Sequence, residues 1–182
     1  MVRIGIIGAA GLSGLELLHL LSRHSESTVK LVTSTKYQGK NVSEVFPELY
    51  QYSLKFNSNE TDVLGCEVVF LAVPNQASLE LVPKLLDQGI RVIDLSGAYR
   101  LTDIDVFEKF YKLRHTHPEL LNEAVFGLPE FFKDKISEAR LVANPGCYST
   151  CALLGILPLA ELLGNIDKPP LIDAKSGVSG AG

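Results

Sequence analysis

The segment Asn144-Pro145-Gly146-Cys147-Tyr148-Ser149-Thr150 sets a thiol directly after a Pro-Gly break and ahead of an apolar run. Pro145 and Gly146 end a strand-like stretch, and residues 147–163 follow a helical apolar pattern, so Cys147 falls at or just before a first helical turn. A thiol there feels the positive end of the helix dipole, which favours the nucleophilic thiolate. Backbone N–H groups of the same turn are placed to hold an oxyanion. A thiolate that attacks a carbonyl or an acyl phosphate forms a thioester, and a thioester is a good hydride acceptor. The other use of a cysteine is as a small buried apolar residue. Cys151, one turn into the apolar helix, and Cys66, opening a buried strand, fit that use. Cys147 alone fits either, and a nucleotide-binding loop elsewhere in the chain favours the nucleophile.

Such a loop is present in Gly8-Ala9-Ala10-Gly11-Leu12-Ser13-Gly14. Glycines allow a sharp turn and a close backbone approach, and the helix start that follows offers unpaired N–H groups to a pyrophosphate. The spacing is G-x-x-G-x-x-G rather than G-x-G-x-x-G, and glycines at a strand–helix turn can serve the turn alone. Its position between a first strand and a first helix assigns Gly8, Gly11, Leu12, Ser13 and Gly14 to a dinucleotide. The following strand ends in Thr33-Ser34-Thr35-Lys36 without the acid that commonly holds the NAD ribose. Hydroxyls and a cation suit a ribose 2′-phosphate, so Ser34 and Lys36 favour NADP; a solvated loop lysine is the plainer reading of Lys36.

The elements that must carry these residues alternate between strand and helix. Residues 2–8 read as a buried strand, 12–23 as a leucine-rich helix and 28–34 as a β-branched strand. A looser stretch from 35 to 60 holds a possible strand at 52–56. Strands at 67–73 and 90–95 then flank a helix at 76–87. Residues 96–139 are polar and irregular, with helical turns near 103–112 and 131–138. A short strand at 141–143 precedes the helix of Cys147, which Pro158 should kink or end, and a last strand covers 171–175. This is an α/β, Rossmann-type parallel sheet with helices on both faces, followed by the start of a truncated α+β second domain. The expected division is 1–146 for the NADP-binding domain and 147–182 for the beginning of the catalytic and dimerisation domain.

The 182 residues carry a net charge of −4, which gives no electrostatic reason to expect nucleic acid or an anionic membrane as partner. Residues 1–14 lack the basic lead and cleavage site of a signal peptide, and no apolar run has the length of a membrane span. Three cysteines without an export signal argue for a reducing, cytoplasmic setting. His19, His24, His115 and His117 lie far in sequence from Cys147 and Cys151, so no metal site is expected.

Four segments together resemble the N-acetyl-γ-glutamyl-phosphate reductase family of arginine biosynthesis, in the family's order and across nearly the whole chain. They are Gly8–Gly14, Val92-Ile93-Asp94-Leu95-Ser96 running on to Tyr99-Arg100-Leu101, Asn144–Thr150 and Asp173–Gly182. The resemblance implies reduction of N-acetyl-γ-glutamyl phosphate by NADPH through a Cys147 thioester. It implies that Gly8–Gly14 bind the pyrophosphate and that Ser176, Gly177 and Gly180 lie near the nicotinamide. Ser96, Arg100 and Asn144 would face the small acyl phosphate substrate. Ser96-Gly97-Ala98-Tyr99-Arg100 departs mildly from the family, which more often has an acid and phenylalanine before the arginine. The family's catalytic histidine and most of its oligomer-forming domain would lie beyond Gly182. The chain therefore reads as part of a longer homo-oligomeric protein, with little turnover of its own. His115 and His117 do not match that histidine. The rival readings are an aspartate-semialdehyde or aminoadipate-pathway dehydrogenase and, in another class, a non-catalytic NADP-binding module.

Overall fold

The apolar runs of the sequence become the strands of one parallel sheet. The computed structural model describes residues 1–63, 65–164 and 169–178. The strands are β1 (Val2–Ile7), β2 (Ser27–Thr33), β3 (Phe56–Asn57), β4 (Val68–Leu71), β5 (Arg91–Asp94), β6 (Val125–Phe126) and β7 (Leu141–Ala143). They form a seven-stranded sheet in the order β3-β2-β1-β4-β5-β7-β6. Every pairing between named strands is parallel. From β1 the sheet grows outward in one direction through β2 and β3, and in the other through β4 and β5. The strand order thus reverses between β1 and β4, the place where an open α/β sheet leaves a crevice at its carboxyl edge.

Parallel strands are linked by crossovers that cover both faces, so their residues are buried above and below. In β1, Ile4 and Ile6 join one apolar cluster and Ile7 the other, as the two-residue side-chain period requires. The first cluster takes Leu18 of α1 (Leu12–Leu21) and Val42 of α2 (Val42–Val45). The second takes Leu79, Val82, Leu85 and Leu86 from α3 (Asn75–Asp87). Those four positions repeat at helical spacing, so the register of apolar residues selects the buried face.

The polar stretch between β5 and β7 holds more structure than its sequence announces. It forms α4 (Ile104–Tyr111), α5 (Glu119–Glu123), the strand β6 and α6 (Pro129–Glu138). Asp103 caps α4 by accepting from the amides of Asp105 at 2.9 Å and Val106 at 3.0 Å. Fully buried Phe107 of α4 stacks on Tyr111 with ring centroids 5.0 Å apart. Arg91 donates to the carbonyls of Ile136, Ser137 and Ala139, which satisfies the end of α6.

The described residues divide into two compact units, 1–144 and 145–182. The second contains α7 (Cys147–Ile156), a 3₁₀ turn at Leu157–Leu159 and α8 (Ala160–Leu163). The interruption falls on Pro158, as its ring and missing N–H require. Residues 171–175 are not a strand. An extended segment becomes one only when a neighbour completes its ladder, and none among the described residues does. Among the described residues no helix is long and apolar enough to cross a membrane. Phe107→Ala should cost about 3–5 kcal/mol of stability, because the cavity would open in the middle of a packed aromatic group. Urea unfolding measures it, and a loss below about 1 kcal/mol would show that α4 is not part of the core.

Candidate active site

The glycine loop leaves β1 at the point where the strand order reverses. Gly8 has φ +84°, and a Cβ there would lie 2.3 Å from the Ala72 carbonyl oxygen, beyond the end of β4. Gly14, inside α1, would set a Cβ 2.5 Å from Ala9 Cα, so it lets the helix pack onto its own entry loop. Gly11 has neither constraint. Its φ is −78°, and the nearest atom to a Cβ would be 3.7 Å away, an ordinary contact. The fold therefore requires glycine at Gly8 and Gly14, whereas at Gly11 the chain's own packing would admit a side chain. Gly11 is the N-cap of α1, and no side chain caps that helix. The first-turn amides of Leu12, Ser13 and Gly14 are the groups that a helix cannot bond internally. This arrangement fits an anionic pyrophosphate.

The end of β2 is tied to the same loop. The Thr33 carbonyl accepts from Ala9 N at 2.9 Å, and Thr33 Oγ1 accepts from Gly8 N at 3.1 Å. Ser34 is buried, and its Oγ accepts from Tyr37 N at 3.2 Å, so its hydroxyl holds the following turn. Lys36 is exposed, with Nζ 5.0 Å from the Tyr37 ring centroid. The strand end itself supplies no acid, although Glu60 and Asp62 line the cleft beside it. A cleft of about 530 Å³ opens beside it, lined by Ile7, Asn59, Val63, Val73, Ala77 and Leu81 among others. It runs from the ends of β1 and β4 along α3, and its lining was not legible in the sequence because a strand end, two separate loops and a helix supply it.

A second polar group stands at the end of β5. Asp94 is fully buried, and its carboxylate accepts from Ser96 N at 3.0 Å and Ser96 Oγ at 2.8 Å. Burial pushes the Asp94 carboxyl above its ordinary value; the Ser96 bonds, the Ser78 hydroxyl and the Arg100 charge oppose the shift without cancelling it. Ser78 Oγ makes no hydrogen bond of good geometry there, so its part is that of a nearby dipole. Ser96 Oγ also accepts from Ala98 N at 3.1 Å, and with Ser96 buried this hydroxyl shapes the loop. Gly97 lies against the Tyr111 ring and donates its N–H to Asn75 Oδ1 at 2.7 Å.

Arg100 is half-buried and clamps two strand exits. Its Nε donates to the Asn144 carbonyl at 2.8 Å, and Nη2 donates to the Leu95 carbonyl at 2.6 Å. These contacts account for two of the five N–H groups of a guanidinium. Ser96, Arg100 and the Asn144 backbone are thus brought together by the ends of β5 and β7.

His115 is an inward residue. Its Nε2 lies 3.0 Å from the Ala98 carbonyl, and Nδ1 accepts from His117 N at 3.2 Å, which fixes the neutral ring with its proton on Nε2. It meets Tyr99 and Phe107 edge to face, with centroids 5.2 and 5.0 Å apart.

In the second unit, Cys147 is exposed and is the first residue of α7, a helix of 10 residues with no side-chain cap at its start. The first amides of α7 are among the groups that a helix cannot bond internally. Cys151 is exposed too, against the expectation of a buried thiol. Among the described residues α7 has no buried member, although its apolar residues run on around the helix. Cys66 is buried, and burial pushes its thiol up. Ser176 and Gly177 are exposed, and Gly180 lies outside the described residues.

Residues 3–139 match the model of the family described as semialdehyde dehydrogenase, NAD binding domain. The chain belongs to that family. Among curated members, it is 50% identical over 183 residues to the N-acetyl-gamma-glutamyl-phosphate reductase of Leptospira borgpetersenii serovar Hardjo-bovis (strain JB197), covering 100% of this chain and 54% of that protein. The reductase of the same name from Methanosphaera stadtmanae is 48% identical, with 100% and 52% covered. The chain spans about half the length of the curated relatives it matches. Among solved semialdehyde dehydrogenases, the aspartate enzyme of Candida albicans, described with NADP, superposes with a TM-score of 0.62 at 21% identity, covering 92% of this chain and 49% of that one. The aspartate enzyme II of Vibrio cholerae gives 0.59 at 20%, covering 87% and 46%. At these identities the likeness shows a shared fold.

Burial holds the His115 imidazole below its ordinary value of 6.5; the His117 charge adds to this, while the Ala98 carbonyl, Glu119 and Glu108 oppose it. The folded protein thus keeps His115 neutral at a pH where the unfolded chain takes up a proton. Its contribution to stability is full above about pH 6.5 and falls as the pH drops toward the lower folded value. Unfolding free energies at about pH 7.5 and about pH 5.5 should differ less in His115→Gln than in the parent protein. An unchanged difference would remove His115 as the source.

Proposed function

We propose that this chain is the NADP-binding part, and carries the nucleophilic cysteine, of an enzyme that reduces N-acetyl-γ-glutamyl phosphate to N-acetylglutamate 5-semialdehyde in arginine biosynthesis. The observation that carries this reading is the identity of about half the residues, over the whole chain, with proteins named for that reaction. Residues 1–146 would hold the cofactor, and residues 147–182 would begin the catalytic and dimerisation domain of a cytoplasmic homo-oligomer.

The residues present fit NADP. Gly11 and the amides of Leu12, Ser13 and Gly14 would take the pyrophosphate, and Lys36 the 2′-phosphate, on a turn shaped by Ser34. Ser176, Gly177 and Gly180 would lie toward the nicotinamide. When bound, NADPH supplies the hydride.

The chain's own chemistry begins at Cys147 Sγ. The thiolate attacks the acyl carbon, an S–C bond forms, the C–O bond to phosphate breaks, and inorganic phosphate leaves. The first amides of α7 would hold the oxyanion of the tetrahedral intermediate. Arg100 and Asn144 would receive the phosphate or the substrate carboxylate, with Ser96 and Asp94 keeping their loop in place. After hydride delivery to the thioester carbon, the S–C bond breaks, the aldehyde departs and the thiolate is restored. One proton is taken up in the overall reduction.

The test is phosphate-dependent reduction of NADP⁺ by the full-length enzyme with N-acetylglutamate semialdehyde, run beside aspartate semialdehyde. Activity with the second compound alone would overturn the substrate assignment. Cys147→Ser should lower kcat by at least about a thousandfold while NADPH binding persists. A non-catalytic NADP-binding module would show no turnover to lose.

A further inference from the structure

The turn after β2 presents more than the lysine at its start. Lys36 Nζ and Lys40 Nζ lie 5.0 and 5.9 Å from the centroid of the same Tyr37 ring. Ammonium groups over an aromatic face are held by its quadrupole, which sets a long side chain to one place. Two like charges gathered at one ring repel each other, and an anion bound near them relieves that repulsion. Glu44, whose carboxylate feels the Lys40 charge, is committed elsewhere. It accepts from Asn41 N at 3.1 Å and from the Asn41 side chain, closing the capping box of α2.

The backbone under both lysines is fixed at several points. Gly39, at φ +84°, donates to the Phe56 carbonyl at 2.7 Å, and Phe56 N donates to the Lys40 carbonyl at 2.9 Å. Lys40 N donates to the Tyr37 carbonyl at 3.1 Å, and Tyr37 N to Ser34 Oγ at 3.2 Å. The turn is therefore stitched to β3 on one side and to the end of β2 on the other. That strand end is where a Rossmann-type sheet meets the 2′ position of the adenosine ribose.

We propose that Lys40 is a specificity-determining residue, acting with Lys36 across the Tyr37 ring to select a nucleotide bearing a 2′-phosphate. This rests on the reading of the glycine loop as an NADP site. Lys36 alone is a single point charge; the pair, gathered at one ring by a pinned turn, offers a dianion two. Tyr37 is the ring that both ammonium groups share.

The experiment titrates the full-length protein with 2′,5′-ADP and with 5′-AMP, and repeats both with Lys40→Gln and Lys40→Arg. Lys40→Gln should weaken 2′,5′-ADP by about tenfold and leave 5′-AMP within about twofold, while Lys40→Arg keeps most of the preference. Equal weakening of both nucleotides, or none of either, would overturn the role of Lys40 while leaving the cofactor reading standing. A parent protein that binds 5′-AMP as tightly as 2′,5′-ADP would overturn the NADP reading itself, and Lys40 with it.

Discussion

Just beyond the paired ends of two strands that the chain visits more than 60 residues apart, Gly8 passes close to the carbonyl of Ala72. A methyl group at Gly8 would sit 2.3 Å from that oxygen, inside any tolerable contact. Because the space is denied to every side chain, the loop can turn with a positive φ directly above the reversal of strand order. α1 then starts over the same crevice, and Gly14 lets it lie close enough to stay there. The Thr33 hydroxyl and carbonyl lock β2 onto the loop from the other side. The start of α1 with its unbonded first amides, the end of β2 and the cleft along α3 all take their positions from this steric constraint.

The remaining polar groups are arranged around carboxyl ends of strands, and most of them face inward. Asp94 is committed to Ser96, His115 to Ala98 and His117, and Arg100 to two backbone carbonyls. These groups give loops a shape that glycine- and serine-rich sequence would not hold by itself. Lys36, Lys40 and Cys147 are of a different kind, since each is exposed on a backbone that is itself fixed. Reactive or charge-reading groups gain from that combination, because the group meets its ligand without first having to be ordered.

Much of the fold was legible because buried parallel strands need uninterrupted apolar residues. β1, β2, β4, β5 and β7 were each marked by such a run. The stretch read as a strand at 52–56 meets β3 only at Phe56, and β6 was not marked at all, since a pair of residues has no period to detect. The short helix α5 was hidden in a polar stretch for the same reason, and Leu171–Lys175, although rich in apolar residues, found no ladder partner among the described residues. At the site, the glycine loop, Lys36 and the helical start at Cys147 could be read from local spacing. Lys40 could not, because its link to Lys36 runs through a ring and a turn. Ser34 and Ser96 were legible as residues near the site, but not as hydroxyls already engaged within the fold. Cys151 had looked like interior packing from its apolar neighbours, yet a continuous apolar helix does not say which side is covered.

The Arg100 clamp has a mechanical meaning. By gripping the carbonyls of Leu95 and Asn144, it fastens together two strand exits that would otherwise move as separate loops. Asn144 is also the last residue before Pro145, Gly146 and the thiol. The ends of β5 and β7 therefore move as one piece, and slack in either exit is shared by the other.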